Sequence, residues 1–366
     1  MIDLLMGGSP CQGFSFAGKQ LNFEDKRSKL FFDFVRAKEE LKPKYFLLEN
    51  VKMKKEHQNV ISKYLGVEPI EINSALVSAQ NRKRLYWTNI PGIEQPEDKQ
   101  VYLKDILESG EVNRDKSYCI DASYYKGVDL KTYFEKHRRQ LVFESTQRID
   151  VIGKGGQGQR IYDINGKSVA LSALGGGQGA KTGLYLIVGE ATKKGYAIIN
   201  KNEGVDLTFI NSKTRRGRRM KDKSNCLTAA NYDYCWYDGV TVRKLTPIEC
   251  ERLQTLPDNF TEGISNSQRY KALGNGWTVD VIAHILSHIP EVNLHTVVSL
   301  FDGISCGQVA LERANKSYNQ YYASEIDKYV MQVTMKNYPH TIQLGDITKI
   351  NWDMFLSAVS MFKQAV

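Results

Sequence analysis

A cysteine that follows a proline just after a short apolar run is placed to act as a nucleophile. Pro10-Cys11 stands in Gly8-Ser9-Pro10-Cys11-Gln12-Gly13-Phe14-Ser15, directly after the strand-like residues 2–6. A free thiol is only roughly 3% ionised at pH 7, so this role demands a base or a positive charge nearby. Alone, Pro-Cys is more often structural, and its companions decide the reading. Glu49-Asn50-Val51 follows the apolar run 45–48. A carboxylate ending a buried strand is costly unless it is partnered or functional. Gln80-Asn81-Arg82-Lys83-Arg84 opens a further strand and sets Arg82 and Arg84 on one face, as anion binders or as a plain surface patch. Residues 299–307 read as a strand, a glycine turn and then a helix. Glu325 follows the next strand and Gly345-Asp346-Ile347 ends a third. That succession suits an adenosyl ligand, because the turn lacks the G-x-G-x-x-G spacing of a pyrophosphate binder.

The elements that must position these groups alternate. Residues 2–6, 45–48, 70–76 and 85–90 read as strands, and 28–41 carries apolar residues at helical spacing. Such alternation predicts βα units and a mostly parallel sheet, which binds ligands at the carboxyl ends of its strands. From about 92 to 240 glycine and tyrosine are dense and helical periodicity is poor, which predicts a turn-rich β region. A degenerate repeat supports it: Lys167-Ser168 through Ala173 is echoed by Lys223-Ser224 through Ala229. After 243 the α/β character returns. Thr246-Pro247-Ile248-Glu249 has the N-cap, N1 and N3 residues of a helix start, and 278–288 reads as a second helix. Strands are expected over 296–301, 321–324 and 341–344, and an amphipathic segment over 354–362.

Composition narrows the classes. The 366 residues are 42% hydrophobic, ample for a core, and no apolar run approaches the length of a membrane span. A cytoplasmic protein, without membrane partners and monomeric, is expected. The cysteines at 11, 119, 226, 235, 250 and 306 form no Cys-x-x-Cys pair, so neither a disulfide framework nor a metal site is expected. Net charge is +9, and Lys213, Arg215, Arg216, Arg218, Arg219, Lys221 and Lys223 crowd one glycine-containing stretch. Phosphate contact explains such a run better than a solvated loop once the other groups are considered.

Taken together, these groupings resemble the DNA cytosine-5 methyltransferase family over nearly the whole chain outside the central insert. Pro10-Cys11 is similar to the family's nucleophile loop, Glu49-Asn50-Val51 to its Glu-Asn-Val, and Gln80, Arg82 and Arg84 to its Gln-x-Arg-x-Arg. Phe301-Asp302-Gly303 is similar to its cofactor turn, residues 243–257 to a helix before its last motif, and Gly274-Asn275-Gly276 to that motif. The resemblance implies a Rossmann-like S-adenosylmethionine-dependent α/β fold with a smaller, mostly β target-recognition domain. It implies catalysis by Cys11, Glu49, Arg82 and Arg84, with S-adenosylmethionine bound by Phe301, Asp302, Gly303, Glu325, Ile326, Asp346, Ile347, Pro10 and Asn275. Double-stranded DNA would meet Gln12, Ser15, Arg215, Arg216, Arg218 and Arg219. The motif order departs from the family's: the cofactor motifs at 299–347 come last, which implies a circularly permuted chain. Expected domains are 1–91 (nucleophile half), 92–242 (target recognition) and 243–366 (closing helices and cofactor half). An RNA cytosine-5 methyltransferase is the nearest rival, with the long insert favouring DNA. A non-catalytic relative would be expected to lack Cys11, Glu49 or Arg84. A zinc deaminase would need a second cysteine three residues after Cys11, which is absent.

Overall fold

The computed structural model describes residues 2–9, 30–127, 133, 136–145, 148–151, 160–162, 184–185, 187–189, 196–198, 203–206, 219–220, 234–237 and 240–364. The chain divides into two compact units. One holds residues 1–108, 113–140 and 244–366; the other holds 109–112 and 141–243. Most of 92–140 therefore packs with the first unit, although the sequence placed it in the insert.

The first unit is built on a seven-stranded sheet. Its strands are β1 (Leu4–Gly7), β2 (Tyr45–Val51), β3 (Ile70–Asn73), β4 (Lys83–Thr88), β5 (Asn293–Leu300), β6 (Ser317–Ser324) and β7 (Ile342–Gln343). They lie in the order β7-β6-β5-β1-β2-β4-β3. Neighbours from β7 to β2 are parallel, whereas β4 runs antiparallel to both β2 and β3. Every residue of β1 is buried, as expected of a central parallel strand covered on both faces.

Alternate strand residues feed opposite layers. Leu5, Phe46, Leu48, Leu85, Trp87, Val298, Leu300 and Tyr322 share a core with helices α1 (Leu30–Leu41), α2 (Lys55–Leu65) and, at the end of the chain, a helix over Trp352–Gln364. Phe31 and Phe34 of α1 and Trp352 of the last helix are fully buried there, each worth about 2–3 kcal/mol of transfer free energy. Three further helices precede β5: α3 (Pro247–Leu253), α4 (Asn266–Asn275) and α5 (Val279–Ser287). On the opposite face lies α6 (Cys306–Arg313), pressed so closely that a Cβ on Gly307 would lie 2.5 Å from Met6 Cε and 2.8 Å from Tyr321 Oη. Helix α7 (Lys328–Asn337) follows β6, and the last helix is α8.

Local sequence explains several boundaries. Thr246 accepts from the amide of Glu249 while Glu249 reaches back to the Thr246 amide, so the expected capping box starts α3. Strand β2 runs on through Glu49, Asn50 and Val51 instead of ending at 48, because those residues pair with Tyr86, Leu85 and Arg84 of β4. The expected strand over 70–76 stops at Asn73, whose side chain accepts from the Ala75 amide and turns 74–76 into a 3-10 helix.

In the second unit the described elements are all strands. Leu141–Ser145 pairs with Val240–Lys244, and Arg148–Val151, Arg160–Tyr162 and Leu184–Tyr185 form a small sheet. Ile187–Gly189 pairs with Tyr196–Ile198, and Glu203–Asp206 lies between Arg219–Met220 and Tyr234–Tyr237. Both copies of the repeated Lys-Ser segment lie outside the described residues.

Candidate active site

The parallel strands β5 and β1 are neighbours, yet the chain leaves them in opposite directions along the sheet, β5 to β6 and β1 to β2. Ligands of open α/β sheets sit at the carboxyl ends of strands where the order reverses in this way. Gly7 pairs with Leu300 in register, so residues 8–9 and the turn at 301–305 leave the sheet side by side.

Beside them stands a charged pair. Arg84 Nε lies 2.9 Å from Glu49 Oε1, with side chains only 14% and 12% exposed. The antiparallel direction of β4 makes this contact, since it brings the strand's first residues to the carboxyl edge where Val51 faces Arg84. Gly8 fills the space next to it. A Cβ on Gly8 would lie 3.0 Å from Trp277 Nε1 and 3.2 Å from Glu49 Oε2, so a larger residue would push on the carboxylate. Asn50 is buried and donates to Ser9 Oγ at 3.2 Å, while its own oxygen accepts from the Val51 amide. The residue just before Pro10-Cys11 is thereby tied to β2. Pro10, Cys11, Gln12 and Ser15 themselves lie outside the described residues, as do Arg215, Arg216 and Arg218. Arg219 opens a short strand of the second unit.

Arg82 is held differently from Arg84. It is 4% exposed; its Nη1 donates to Ile120 O at 3.2 Å and its Nη2 to Gly276 O at 2.9 Å and Gly274 O at 3.3 Å. A guanidinium engaged with three carbonyls of two other segments clamps those segments together. Gln80, fully buried, also joins segments: it accepts from the Ile120 amide and donates to Leu253 O. Cys119 was not anticipated at all. Its sulfur lies 3.4 Å from Arg82 Nη1 and 3.9 Å from Arg84 Nη2. Burial pushes the Cys119 thiol up, but the two guanidiniums outweigh it and hold it below the ordinary thiol range.

The second half of the edge is a turn with unusual backbone. Phe301, Gly303 and Ser305 have φ of +58°, +59° and +58°. Such values cost a non-glycine residue about 1–2 kcal/mol each, so the turn needs holding. Asp302 does this. It is 9% exposed and accepts from Tyr321 Oη at 2.7 Å and from Ser305 Oγ. Burial pushes its carboxyl up to about 6, against the pull of those hydroxyls. The Asp302 side chain is thus turned inward, and it is the backbone of the turn that lies at the sheet edge.

Glu325 Oε2 accepts from the Gly303 amide at 2.9 Å and Oε1 from the amides of Ile326 and Asp327, pinning the turn after β5 to the turn after β6. Beyond it Ile326 is 74% exposed, an apolar side chain standing at the rim. Asp346 caps the short helix Ile347–Lys349 through the Thr348 amide. The side chain of Ile347 is buried in the core. Asn275 ends α4 exposed, beside Gly274, where a Cβ would lie 2.2 Å from the Asp121 carbonyl carbon.

Strand order, the Glu49–Arg84 pair and the open turn at Gly303 describe an α/β protein with a charged pair and a left-handed turn at one sheet edge. A family model for C-5 cytosine-specific DNA methylases matches residues 1–291 and 295–362. The chain belongs to that family and is a DNA cytosine methyltransferase by membership. It is 30% identical over 308 residues to the Type II methyltransferase M.HhaI of Haemophilus parahaemolyticus, covering 78% of this chain and 75% of that protein. The orphan methyltransferase M.SPRI of Bacillus phage SPR is 29% identical over 380 residues, covering 81% and 84%. The Type II methyltransferase M.HpaII of Haemophilus parainfluenzae is 29% identical over 302 residues, covering 77% and 70%. No helix among the described residues is long and apolar enough to cross a membrane, and none of their side chains cluster as a metal site.

Proposed function

We propose that the protein methylates carbon 5 of a cytosine flipped out of duplex DNA, through a covalent bond between Cys11 Sγ and carbon 6. The observation that carries this is the Glu49–Arg84 pair beside Gly8, two residues before Pro10-Cys11. Flipping costs a few kcal/mol and is needed because a stacked ring cannot be attacked from its face. The Cys11 thiolate adds to carbon 6, and the electron pair of the 5,6 double bond moves to carbon 5. Glu49 hydrogen-bonds N3 and the amino group, supplying a proton as charge grows on the ring. Arg84 binds O2 and balances the developing negative charge. After carbon 5 is methylated, its proton leaves to a base and the S–C6 bond breaks, returning the thiolate.

The turn at 301–305 fits an adenosyl cofactor. Gly303 has no atom within 4 Å of where a Cβ would stand, its amide donates to Glu325, and the next residue, Ile326, is exposed. S-adenosylmethionine, when bound, supplies the methyl group as an electrophile. Phe301, Gly303, Glu325 and Ile326, with Asn275 and Asp346, would hold it. Arg82 and Asp302 act behind this surface, fixing the segments that carry it.

The fold is proposed to be Rossmann-like and circularly permuted. Its support is the motif order and the parallel β1–β5 pairing, in which Gly7 meets Leu300 whatever the order of the strands in the chain. Asp3 Oδ2 further accepts from the amides of His295 and Thr296. Target recognition is assigned to the β unit over 141–243, with Arg215, Arg216, Arg218 and Arg219 on phosphates. Gln12 and Ser15 would close on the displaced base.

Bisulfite sequencing of plasmid DNA from cells expressing the protein tests this directly. A protected cytosine in one recurring sequence context is expected. Fully converted DNA, with label from S-adenosylmethionine entering RNA instead, would reject it.

A further inference from the structure

We propose that Cys119 is a positioning residue for methyl transfer: its sulfur joins Arg84 to the anchored Arg82 and so fixes the guanidinium that faces Glu49. The proposal rests on the roles given above to Glu49 and Arg84.

Backbone pairing sets where the sulfur stands. Residues 117–120 run alongside 79–82, with the Asn81 amide donating to Ser117 O at 3.0 Å and the Ser117 amide to Ala79 O at 2.7 Å. The Ile120 amide adds a bond to Gln80 Oε1 at 2.9 Å. Cys119 is therefore held between two fixed neighbours. From that place Sγ lies 3.4 Å from Arg82 Nη1, 3.9 Å from Arg84 Nη2 and 3.5 Å from Ile120 O.

Both arginines are held by several contacts, and the Cys119 sulfur is common to the two. Arg82 Nη1 and Nη2 donate to carbonyls of Ile120, Gly274 and Gly276. Arg84 Nε meets Glu49, and its Nη1 donates to the adjacent Lys83 O. A long side chain tethered near its own backbone gains direction from a contact at its far nitrogen, and the Cys119 sulfur is there. Charge argues the same way. Arg82, Arg84 and Glu49 sum to one excess positive charge in a largely buried cluster, and a thiolate at Cys119 cancels it. The thiol does sit below its ordinary range, in line with that balance. Tyr86, which faces Glu49 and both arginines from β4, does not titrate near neutrality, since burial holds its hydroxyl well above the phenol range. Cys119 touches guanidiniums and not the reacting ring, so its effect must pass through Arg84.

The test is methyl transfer by the full-length protein to duplex DNA between pH 6 and 9. Cys119→Ala should lower kcat on the order of 10-fold while KM for DNA changes about 2-fold or less, the signature of a misaimed group. Cys119→Ser, which restores a neutral acceptor, should recover part of that loss. Protonation of Cys11 gives every variant an acidic limb; wild type should show a further loss as the Cys119 sulfur is protonated, and the Ala variant should lack that second component. Wild-type kcat and an unchanged profile in both variants would overturn the proposal. If Cys119→Ala does not fold, the thiolate absorbance of wild type minus Cys119→Ser decides. A midpoint below the usual value near 8.5 supports the pairing and one above refutes it. A wild type inactive on any DNA would instead reject the roles of Glu49 and Arg84.

Discussion

The two halves of the carboxyl edge hold their polar groups in opposite ways. Around β1, β2 and β4, side chain meets side chain: Glu49 faces Arg84, Cys119 faces both arginines, and Asn50 holds Ser9. Around β5 and β6, carboxylates grip main-chain amides: Glu325 takes those of Gly303, Ile326 and Asp327, and Asp346 takes that of Thr348. Charges that face one another can respond when charge appears on a bound ring. Carboxylates spent on amides shape a loop instead, and the surface they leave suits a ligand recognised by fit. The first half therefore carries the proposed chemistry and the second the proposed cofactor site.

The largest expected effect lies on the first half. Cys11→Ser should abolish methyl transfer, while binding of S-adenosylmethionine, followed by calorimetry, stays within a few-fold of wild type. Turnover retained by that variant would remove Cys11 from the mechanism. Next, Arg82→Met and Arg84→Met should part company. Arg84→Met should lower kcat by about 100-fold or more, and it should also cost about 3 kcal/mol of stability because the largely buried Glu49 loses its partner. Arg82→Met should leave buried carbonyls without a donor and cost about 3 kcal/mol in chemical denaturation. A kcat loss as large in Arg82→Met as in Arg84→Met would erase the distinction between clamp and catalytic group.

On the second half the effects are smaller and differ in kind. Asp302 has a folded-state pKa raised to about 6 from 3.8, so the fold favours its protonated form. Its contribution is fully present below about pH 4 and is lost as pH rises through 6. Asp302→Asn should flatten that part of the stability-pH curve without moving the rest, and an unchanged slope between pH 4 and 6.5 would show that another group titrates there. Smallest of all, Gly303→Ala meets open space and should cost stability only its left-handed backbone, about 1 kcal/mol. A weaker affinity for S-adenosylmethionine in that variant would sharpen the assignment of the turn.

Much of the fold was legible. Strongly apolar runs such as 45–48 and 296–301 mark core strands, and the Thr246–Glu249 capping box appears as read. Helices α2 and α7 were not named from the sequence. Val333 and Thr334 are the buried residues of α7, and Ile61, Ser62 and Leu65 those of α2, so neither carries a broad apolar stripe. Glu49 and Arg84 were identified as site residues and the structure brings them together. Arg82, Asp302 and Ile347 were identified too, and in the structure their side chains make buried contacts within the protein. Cys119 and Trp277 join the site without any local sequence signal, because what makes them matter is a neighbour far away in the chain.

The sequence by itself determined which chemistry is available: a Pro-Cys loop, a carboxylate, two arginines and a glycine turn after an apolar strand. Residue types and short spacings carry that information because nucleophiles, acids and turns are local properties. Only the tertiary structure decided which arginine faces Glu49. Residues 82 and 84 are equivalent in a strand pattern, and either could point to the site. The antiparallel run of β4 carries Arg84 to the carboxyl edge opposite Val51, while the helix end at 274–276 captures Arg82. Strand direction is a long-range pairing choice, and no local pattern encodes it.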